Sequence, residues 1–199
     1  SVRLKVDAGG LQIDKLAVAD IGGAAFSASG RIDTTQSTPR GSINVDLTAP
    51  DMAPVMTVLS RFAPVTVATL GRGTAAMAPA RLRARLNIDG AAPAALAKLS
   101  VDGMLGKARL ALTAQGNADV LVAGAGDLRL DGKIEADDGK TLLTMLGLDG
   151  MVEIEAGPGA FTLNLSGPAN GELKVDSRLT AKGLEAKATG SARPFGATP

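Results

Sequence analysis

The chain has 199 residues, a mass of 19.9 kDa and a formal net charge of +1, from 21 basic and 20 acidic residues. This length suits one domain or two small ones, and a hydrophobic content of 45% argues against a disordered chain. The absence of His and Cys excludes disulfides, thiol nucleophiles, Ser-His-Asp triads and zinc sites built from these ligands.

Apolar and polar residues alternate strictly along much of the chain, which predicts strands with one apolar and one polar face. Gly-Gly, Asp-Gly and Gly-Asn turn signals separate these runs. Short loops between one-sided strands favour antiparallel pairing, because parallel strands need long crossover connections. The alternating runs are residues 3–8, 43–47, 86–89, 110–112, 128–131, 161–165 and 173–176.

Two segments break the alternation and are predicted to form short helices. In residues 51–59 apolar side chains recur at helical spacing behind a candidate N-cap, Asp51. Residues 138–146 repeat the pattern behind Asp138. Residues 64–79 are ambiguous and leave room for a further short helix.

The two helical segments also match each other, which predicts an internal repeat. Residues 47–59 align with residues 134–146 without a gap, an offset of 134 − 47 = 87 positions. We expect about four strands and then a helix in each repeat of a single domain. Repeat 1 is assigned to 1–80, repeat 2 to 81–168 and the start of a third, incomplete repeat to 171–199.

The fold class predicted from these patterns is mostly β with a few short helices. Antiparallel strands are expected to form a strongly curved or twisted repeat sheet, either groove-like or barrel-like. The apolar face of such a sheet must be covered, and the predicted helices are too few and too short to cover all of it. An apolar trough left partly open would suit acyl chains, whereas the alternative is a core that packs on itself.

The candidate groove residues are large apolar side chains taken from the alternating runs. They are Leu4, Val6, Ile43, Val45, Leu47, Leu86, Ile88, Leu110, Leu112, Leu128, Leu130, Phe161, Leu163, Leu165, Leu173 and Val175.

Motifs that would carry catalysis or metal binding are weak in this sequence. Gly139-Lys140-Thr141 lacks the first Gly of a phosphate-binding loop, because Ile134 stands at that position. Asp137 and Asp138 lack the carboxylate spacing of a calcium loop and are interpreted as a turn and a helix cap. We therefore predict a non-enzymatic protein with no catalytic residue, no metal site and no cofactor.

Charge and aromatic content also bear on binding partners. The near-neutral charge and the absence of Trp and Tyr give no basis for nucleic-acid binding. Basic residues on the predicted strands and their ends are interpreted either as contacts to anionic head groups or as part of a solvated outer face. They are Lys5, Arg81, Arg83, Arg85, Lys174, Arg178, Lys182 and Lys187.

Residues 16–33, 41–51 and 128–150 resemble the AsmA family, in the repetitive C-terminal region that AsmA shares with larger relatives such as TamB and YhdP. The resemblance implies a periplasmic protein of Gram-negative bacteria, tethered to the inner membrane by an N-terminal helix. That anchor is missing from this chain, which starts inside a strand pattern without an initiator Met and is expected to be a fragment of a longer protein. The family brings no catalytic residue with it.

The function that the resemblance and the apolar strands imply is a non-enzymatic module of cell-envelope biogenesis. It would bind or conduct phospholipid acyl chains along an apolar β-groove between the inner and outer membranes. The alternative is a closed structural or scaffolding β-repeat that acts by protein–protein contact in outer-membrane protein assembly. Its partners would then be envelope proteins or further repeats of the same chain.

Overall fold

The computed structural model describes residues 2–7, 10–21, 23–33, 35, 39–59, 71–90, 95–117, 126–152 and 154–193, with the backbone alone for 2–21, 58–59 and 71–72. Eleven antiparallel strands form one sheet in which every strand pairs with its neighbours in sequence. The strands are β1 (Val2–Asp7), β2 (Gly10–Ile21), β3 (Ala24–Asp33), β4 (Arg40–Ala49), β5 (Ala80–Asp89), β6 (Leu96–Leu105), β7 (Ala108–Asn117), β8 (Asp127–Ala136), β9 (Gly159–Pro168), β10 (Leu173–Ala181) and β11 (Leu184–Ala192).

Three short helices accompany the sheet. They are α1 (Ala53–Leu59) between β4 and β5, a 3-10 helix (Gly71–Met77) before β5, and α2 (Gly139–Met145) between β8 and β9. Both predicted α-helices are confirmed, and the ambiguous segment 64–79 contains the 3-10 helix. Among the described residues, no helix is long and apolar enough to span a bilayer.

The two α-helices begin in the same way. The backbone N–H of Ala53 donates to Oδ1 of Asp51 at 2.9 Å, and that of Lys140 donates to Oδ1 of Asp138 at 3.1 Å. Each carboxylate therefore accepts a hydrogen bond from an amide that has no partner inside the helix. Asp51 and Asp138 are separated by the same 87-residue offset that relates the two aligned segments, so these segments share a local structure.

The assignment of the chain to three repeats stays a prediction. The interval 1–80 holds β1 to β4, α1 and the 3-10 helix, whereas 81–168 holds most of β5, all of β6 to β9, and α2. The remaining strands, β10 and β11, lie in 171–199. The second interval thus has one strand more than the four expected.

The sheet is open and curved, and the predicted fold class is confirmed. Among the described residues β1 pairs only with β2, and β11 pairs only with β10, so the first and last strands do not meet. A meander of this kind follows from the short turns between one-sided strands.

The register places most of the large apolar residues of β4 to β10 on one face. Ile43 lies opposite Leu86, and Leu86 lies opposite Leu99. Residues directly opposite each other in an antiparallel pair share a face, so the row can be followed strand by strand across the sheet. From β4 to β10 this row is Ile43, Leu86, Leu99, Ala114, Leu130, Leu165 and Val175.

The larger buried cluster lies at the end of the strands where the helices pack, here called the helical end. A row of mostly small residues crosses the sheet there, and their size lets the helices approach the strands closely. This cluster buries Met52, which lies just before α1, and Met56 within α1. It also buries Leu142 and Met145 of α2. The row consists of Ala49, Ala80, Leu105, Ala108, Ala136 and Gly159.

A second, smaller cluster lies at the opposite end of the strands, here called the distal end. Ile32, Ile88, Ala95 and Ala97 are buried there, with Ile43 and Leu86 packed partly against them. The apolar face is therefore covered at its two ends and less completely between them.

Candidate functional site

The candidate site is the middle of the apolar face, between the helical and distal ends. Two adjacent rows of residues define this central band on β4 to β9, and all of them are half-buried. The first row is Val45, Ala84, Val101, Leu112, Gly132 and Leu163. The second row is Ile43, Leu86, Leu99, Ala114, Leu130 and Leu165.

The whole face is apolar across these six strands. Every position on this side of β4 to β9 is Gly, Ala, Val, Ile, Leu or Phe. An ionised group would be costly on such a surface once a ligand had displaced water from it. The face can therefore accept hydrocarbon, but it offers no group that would orient a polar substrate or catalyse a reaction.

The band also contains open space. Gly132 lies between Leu112 and Leu163 in the first row. A Cβ added to Gly132 would meet its nearest neighbour, the carbonyl oxygen of Leu163, at 3.8 Å. This is ordinary van der Waals contact, so the surface has a shallow depression between two leucines.

The structure divides the predicted groove residues into four groups. Seven of them lie in the central band, and Val175 continues its second row on β10. Leu47, Leu110 and Phe161 lie nearer the helices, and Leu110 and Phe161 pack partly against the buried cluster there. The seven in the band are Ile43, Val45, Leu86, Leu112, Leu130, Leu163 and Leu165.

The remaining predicted residues lie towards the distal end or on β1. Ile88 and Leu173 are buried at 5% and 0% exposure, so they are unavailable to a ligand in this conformation, whereas Leu128 is half-buried. Leu4 and Val6 lie opposite Ile13 and Leu11 by register, and their side chains are outside the described residues.

Sequence reasoning missed part of the band. Leu99 and Val101 were not among the candidate groove residues, and neither were Ala84, Ala114 and Gly132. The sequence pattern could have placed all five on the apolar face, because each occupies an apolar position in an alternating strand. Small residues were overlooked because an Ala or Gly in a strand does not by itself indicate which face it occupies.

The opposite face of the sheet is polar and charged. Arg83 lies opposite Asp46 and its Nε is 3.1 Å from Oδ1 of that carboxylate, while Nε of Arg85 donates to Oδ1 of Asn44 at 2.9 Å. Such exposed pairs contribute little stability each. This geometry supports the interpretation of these arginines as part of a solvated outer face.

Other basic residues from the predicted set are also paired. Lys187 Nζ is 3.4 Å from Oδ2 of Asp176, and Lys182 Nζ is 3.2 Å from Oε2 of Glu155. Arg178 Nε lies 3.6 Å from Oε1 of a glutamate on β11. Arg81 and Lys174 are exposed, and the side chain of Lys5 is outside the described residues.

A cleft of about 630 Å³ lies on the polar face at the distal end of β5 to β9. Charged residues of both signs line it, namely Asp89, Lys98, Asp127 and Arg129, together with amides such as Gln115. Arg129 is already paired with Asp131 on its own strand at 3.2 Å. Within the described part of the chain, no group of three or more acidic residues could hold a metal ion.

No family model matches this chain, and neither a curated protein nor a solved structure matches it at a significant level.

Proposed function

We propose that this chain is a non-enzymatic module of cell-envelope biogenesis that binds phospholipid acyl chains along the central band. In this proposal it belongs to a periplasmic protein of the AsmA type and helps phospholipid to pass between the inner and outer membranes. The chain's own residues supply an apolar surface, and no chemical step is required of them.

The observation that carries the proposal is the continuity of the apolar face. Six neighbouring strands contribute only apolar residues and glycine to it, and its middle rows are half-buried while its ends are packed. Monomeric soluble proteins rarely leave a large continuous apolar surface uncovered, and such surfaces commonly bind an apolar partner. Aliphatic side chains without polar anchors suit hydrocarbon of variable structure better than one oriented small molecule.

The size of the band fits this role. Neighbouring strands lie about 4.8 Å apart, so six strands provide roughly 25 Å of apolar surface perpendicular to the strands. An acyl chain that fills half of a hydrocarbon core about 30 Å thick extends roughly 15 Å. The band on β4 to β9 is therefore longer than one acyl chain.

The test is native mass spectrometry of the purified chain, with organic extraction, before and after incubation with phosphatidylethanolamine vesicles. We expect bound phospholipid on the wild-type chain. Leu112→Asp and Leu163→Asp each place a carboxylate in the first row of the band, and we expect each to lower phospholipid occupancy by about tenfold or more, because the charge loses water when hydrocarbon covers it.

Ala111→Asp and Thr162→Asp are the matched controls. Each position is adjacent to its test residue on the same strand but lies on the polar face opposite Lys133, so the controls should keep wild-type occupancy. Circular dichroism establishes that all four variants are folded. Equal lipid binding by Leu112→Asp and Ala111→Asp would refute the assignment of the band as the lipid site.

A second candidate function is a structural β-repeat that acts by protein–protein contact in outer-membrane protein assembly. The observation that favours it is that β11 pairs only with β10 among the described residues and that eight of its nine residues are exposed. An apo mass for the wild-type chain, with no uptake of added phospholipid, would favour this candidate over the lipid-binding module.

A further inference from the structure

The cleft on the polar face at the distal end of β5 to β9 is not used by the proposed lipid-binding band. Its volume of about 630 Å³ lies within the range of small-molecule sites. The sheet separates it from the band, because neighbouring residues along a strand point to opposite faces. Arg129 of β8, for example, lines the cleft, whereas Leu130 belongs to the band. A ligand in the cleft would therefore be bound independently of acyl chains.

A row of hydrogen-bond donors crosses the cleft. Lys98 lies opposite Gln115, and Gln115 lies opposite Arg129, so three donor side chains lie side by side on β6, β7 and β8. Asn87 and Ser166 continue the row on β5 and β9. No acidic residue occurs in this row from β5 to β9. The centre of the cleft is therefore positively charged and rich in donors.

These donors are available to a ligand. Lys98 and Gln115 are exposed, and neither side chain makes a hydrogen bond or ion pair with another described residue. Arg129 donates from Nε to Oδ2 of Asp131 at 3.2 Å, but its guanidinium carries further N–H groups. Because neighbouring strands lie about 4.8 Å apart, an anion above Gln115 is within reach of both cations.

Two carboxylates lie at the distal margin of the same cleft. Asp127 precedes Arg129 by two residues on β8, and Asp89 follows Asn87 by two residues on β5. Residues two apart on a strand share a face and are about 6.7 Å apart. Asp89 accepts a hydrogen bond from Asn87, whereas Asp127 makes no hydrogen bond or ion pair with another described residue. The cleft thus presents cations at its centre and an available carboxylate at its margin.

We propose that this cleft binds a small zwitterion in which a short linker joins a phosphate to a primary ammonium group. The phosphate lies above Gln115, between Lys98 and Arg129, because both cations bind phosphate oxygens well. The ammonium group lies against Asp127. This arrangement matches each charge of the ligand with an opposite charge of the cleft.

Other classes of small ligand match the cleft less well. A simple anion gains nothing from Asp127, and the four charged residues that line the cleft sum to zero. A free α-amino acid carries both charges next to one carbon atom, whereas Asp127 and the basic row are about 6.7 Å apart along the strand. A phosphate group also offers three acceptor oxygens to the three central donors, one more than a carboxylate offers.

Isothermal titration calorimetry of the purified chain with phosphoethanolamine tests the site. Glycerol 3-phosphate is the comparison ligand, because it is similar in size and carries a phosphate but no ammonium group. We expect phosphoethanolamine to bind about fivefold or more tightly than glycerol 3-phosphate. Lys98→Met should weaken the binding of both ligands by about fivefold or more, whereas Asp127→Asn should abolish the preference for phosphoethanolamine.

Two variants at exposed positions outside the cleft are the controls. Lys174→Met removes a cation from the same row on β10, and Asp102→Asn removes a carboxylate from the polar face of β6. Both should bind phosphoethanolamine like the wild type, and so should Leu112→Asp in the band. A wild-type chain that does not bind phosphoethanolamine would overturn the proposal. Equal effects of Lys98→Met and Lys174→Met, or a preference that Asp127→Asn retains, would also overturn it.

Flotation with phosphatidylethanolamine vesicles identifies the source of the zwitterion, because the same group occurs free in solution and as a lipid head group. Weaker flotation of Lys98→Met than of Lys174→Met, alongside weaker phosphoethanolamine binding, would identify a lipid head group. Equal flotation of the two variants, with phosphoethanolamine binding still weakened only in Lys98→Met, would identify a free small molecule. Loss of flotation in Leu112→Asp alone would concern the band and leave the cleft assignment intact.

Discussion

Gly139 at the start of α2 lies directly against Gly159 at the start of β9. A Cβ added to Gly159 would come within 2.8 Å of the Cα atom of Gly139 and 3.2 Å of Cδ2 of Leu142. The backbone of Gly139 also donates to the carbonyl oxygen of Gly157 at 2.8 Å. The helix is thus held against the sheet by backbone contact, which requires glycine at the point of contact.

Gly159→Ala should therefore destabilise the protein. The new methyl group meets backbone rather than a flexible side chain, and overpacking of this kind costs about 1–3 kcal/mol. The control is Gly190→Ala on β11, where a Cβ meets no atom within 4 Å and the free energy of unfolding should stay the same or rise by up to about 1 kcal/mol. Urea denaturation of both variants measures the difference, and equal midpoints would contradict the proposed contact.

The amphipathic strands could be predicted from the sequence because apolar and polar residues alternate clearly along them. Arg81 to Leu86, for example, alternates basic and apolar residues, and the structure places these on opposite faces of β5. The helix caps at Asp51 and Asp138 could also be predicted, because each Asp precedes a short segment with apolar residues at helical spacing. In the structure each carboxylate accepts a hydrogen bond from a nearby backbone amide.

The sequence could not reveal which parts of the apolar face are covered. Leu112 and Leu173 look alike in their alternating runs, yet Leu112 is half-buried and Leu173 has 0% exposure. The difference depends on tertiary packing at the end of the sheet, which no local pattern encodes. The contact of Gly139 with Gly159 could not be predicted either, because glycine occurs at the start of helices and strands for several reasons other than close backbone contact.

Leu142 should be one of the most costly residues to truncate. Its side chain is fully buried at 0% exposure between α2 and the sheet, so Leu142→Ala should lower the free energy of unfolding by about 2–5 kcal/mol. Leu96→Ala is the control, because Leu96 is 58% exposed at the start of β6 and its truncation should change stability by less than about 0.5 kcal/mol. Similar losses for the two variants in urea denaturation would argue against α2 as part of the core.

Asp138 should make α2 sensitive to acid. A hydrogen bond from the backbone of Lys140 lowers the pKa of Asp138 below its ordinary value of 3.8, with further lowering by hydrogen bonds from Thr141. Because the folded-state pKa is the lower one, this contribution to stability is complete above pH 3.8 and is lost as the pH falls through the folded-state pKa.

Asp138→Asn isolates this effect, since asparagine can still cap the helix but does not titrate in this range. Thermal unfolding of the two proteins at neutral pH and across the acid range should show the wild type losing more stability than the variant. A difference between their melting midpoints that does not change with pH would contradict the assigned role of the Asp138 charge.

Gly132→Phe should block the central band by volume instead of charge. Gly132 has no neighbour closer than 3.8 Å to an added Cβ, so the ring can be built outwards over the band without strain near the backbone. It would cover the depression between Leu112 and Leu163, and we expect phospholipid occupancy in native mass spectrometry to fall by about fivefold, roughly 1 kcal/mol of binding free energy. Lys133→Phe adds the same ring to the exposed polar face of β8 and should leave occupancy unchanged. If Gly132→Phe remains folded and binds as much phospholipid as Lys133→Phe, the lipid must lie elsewhere on the molecule.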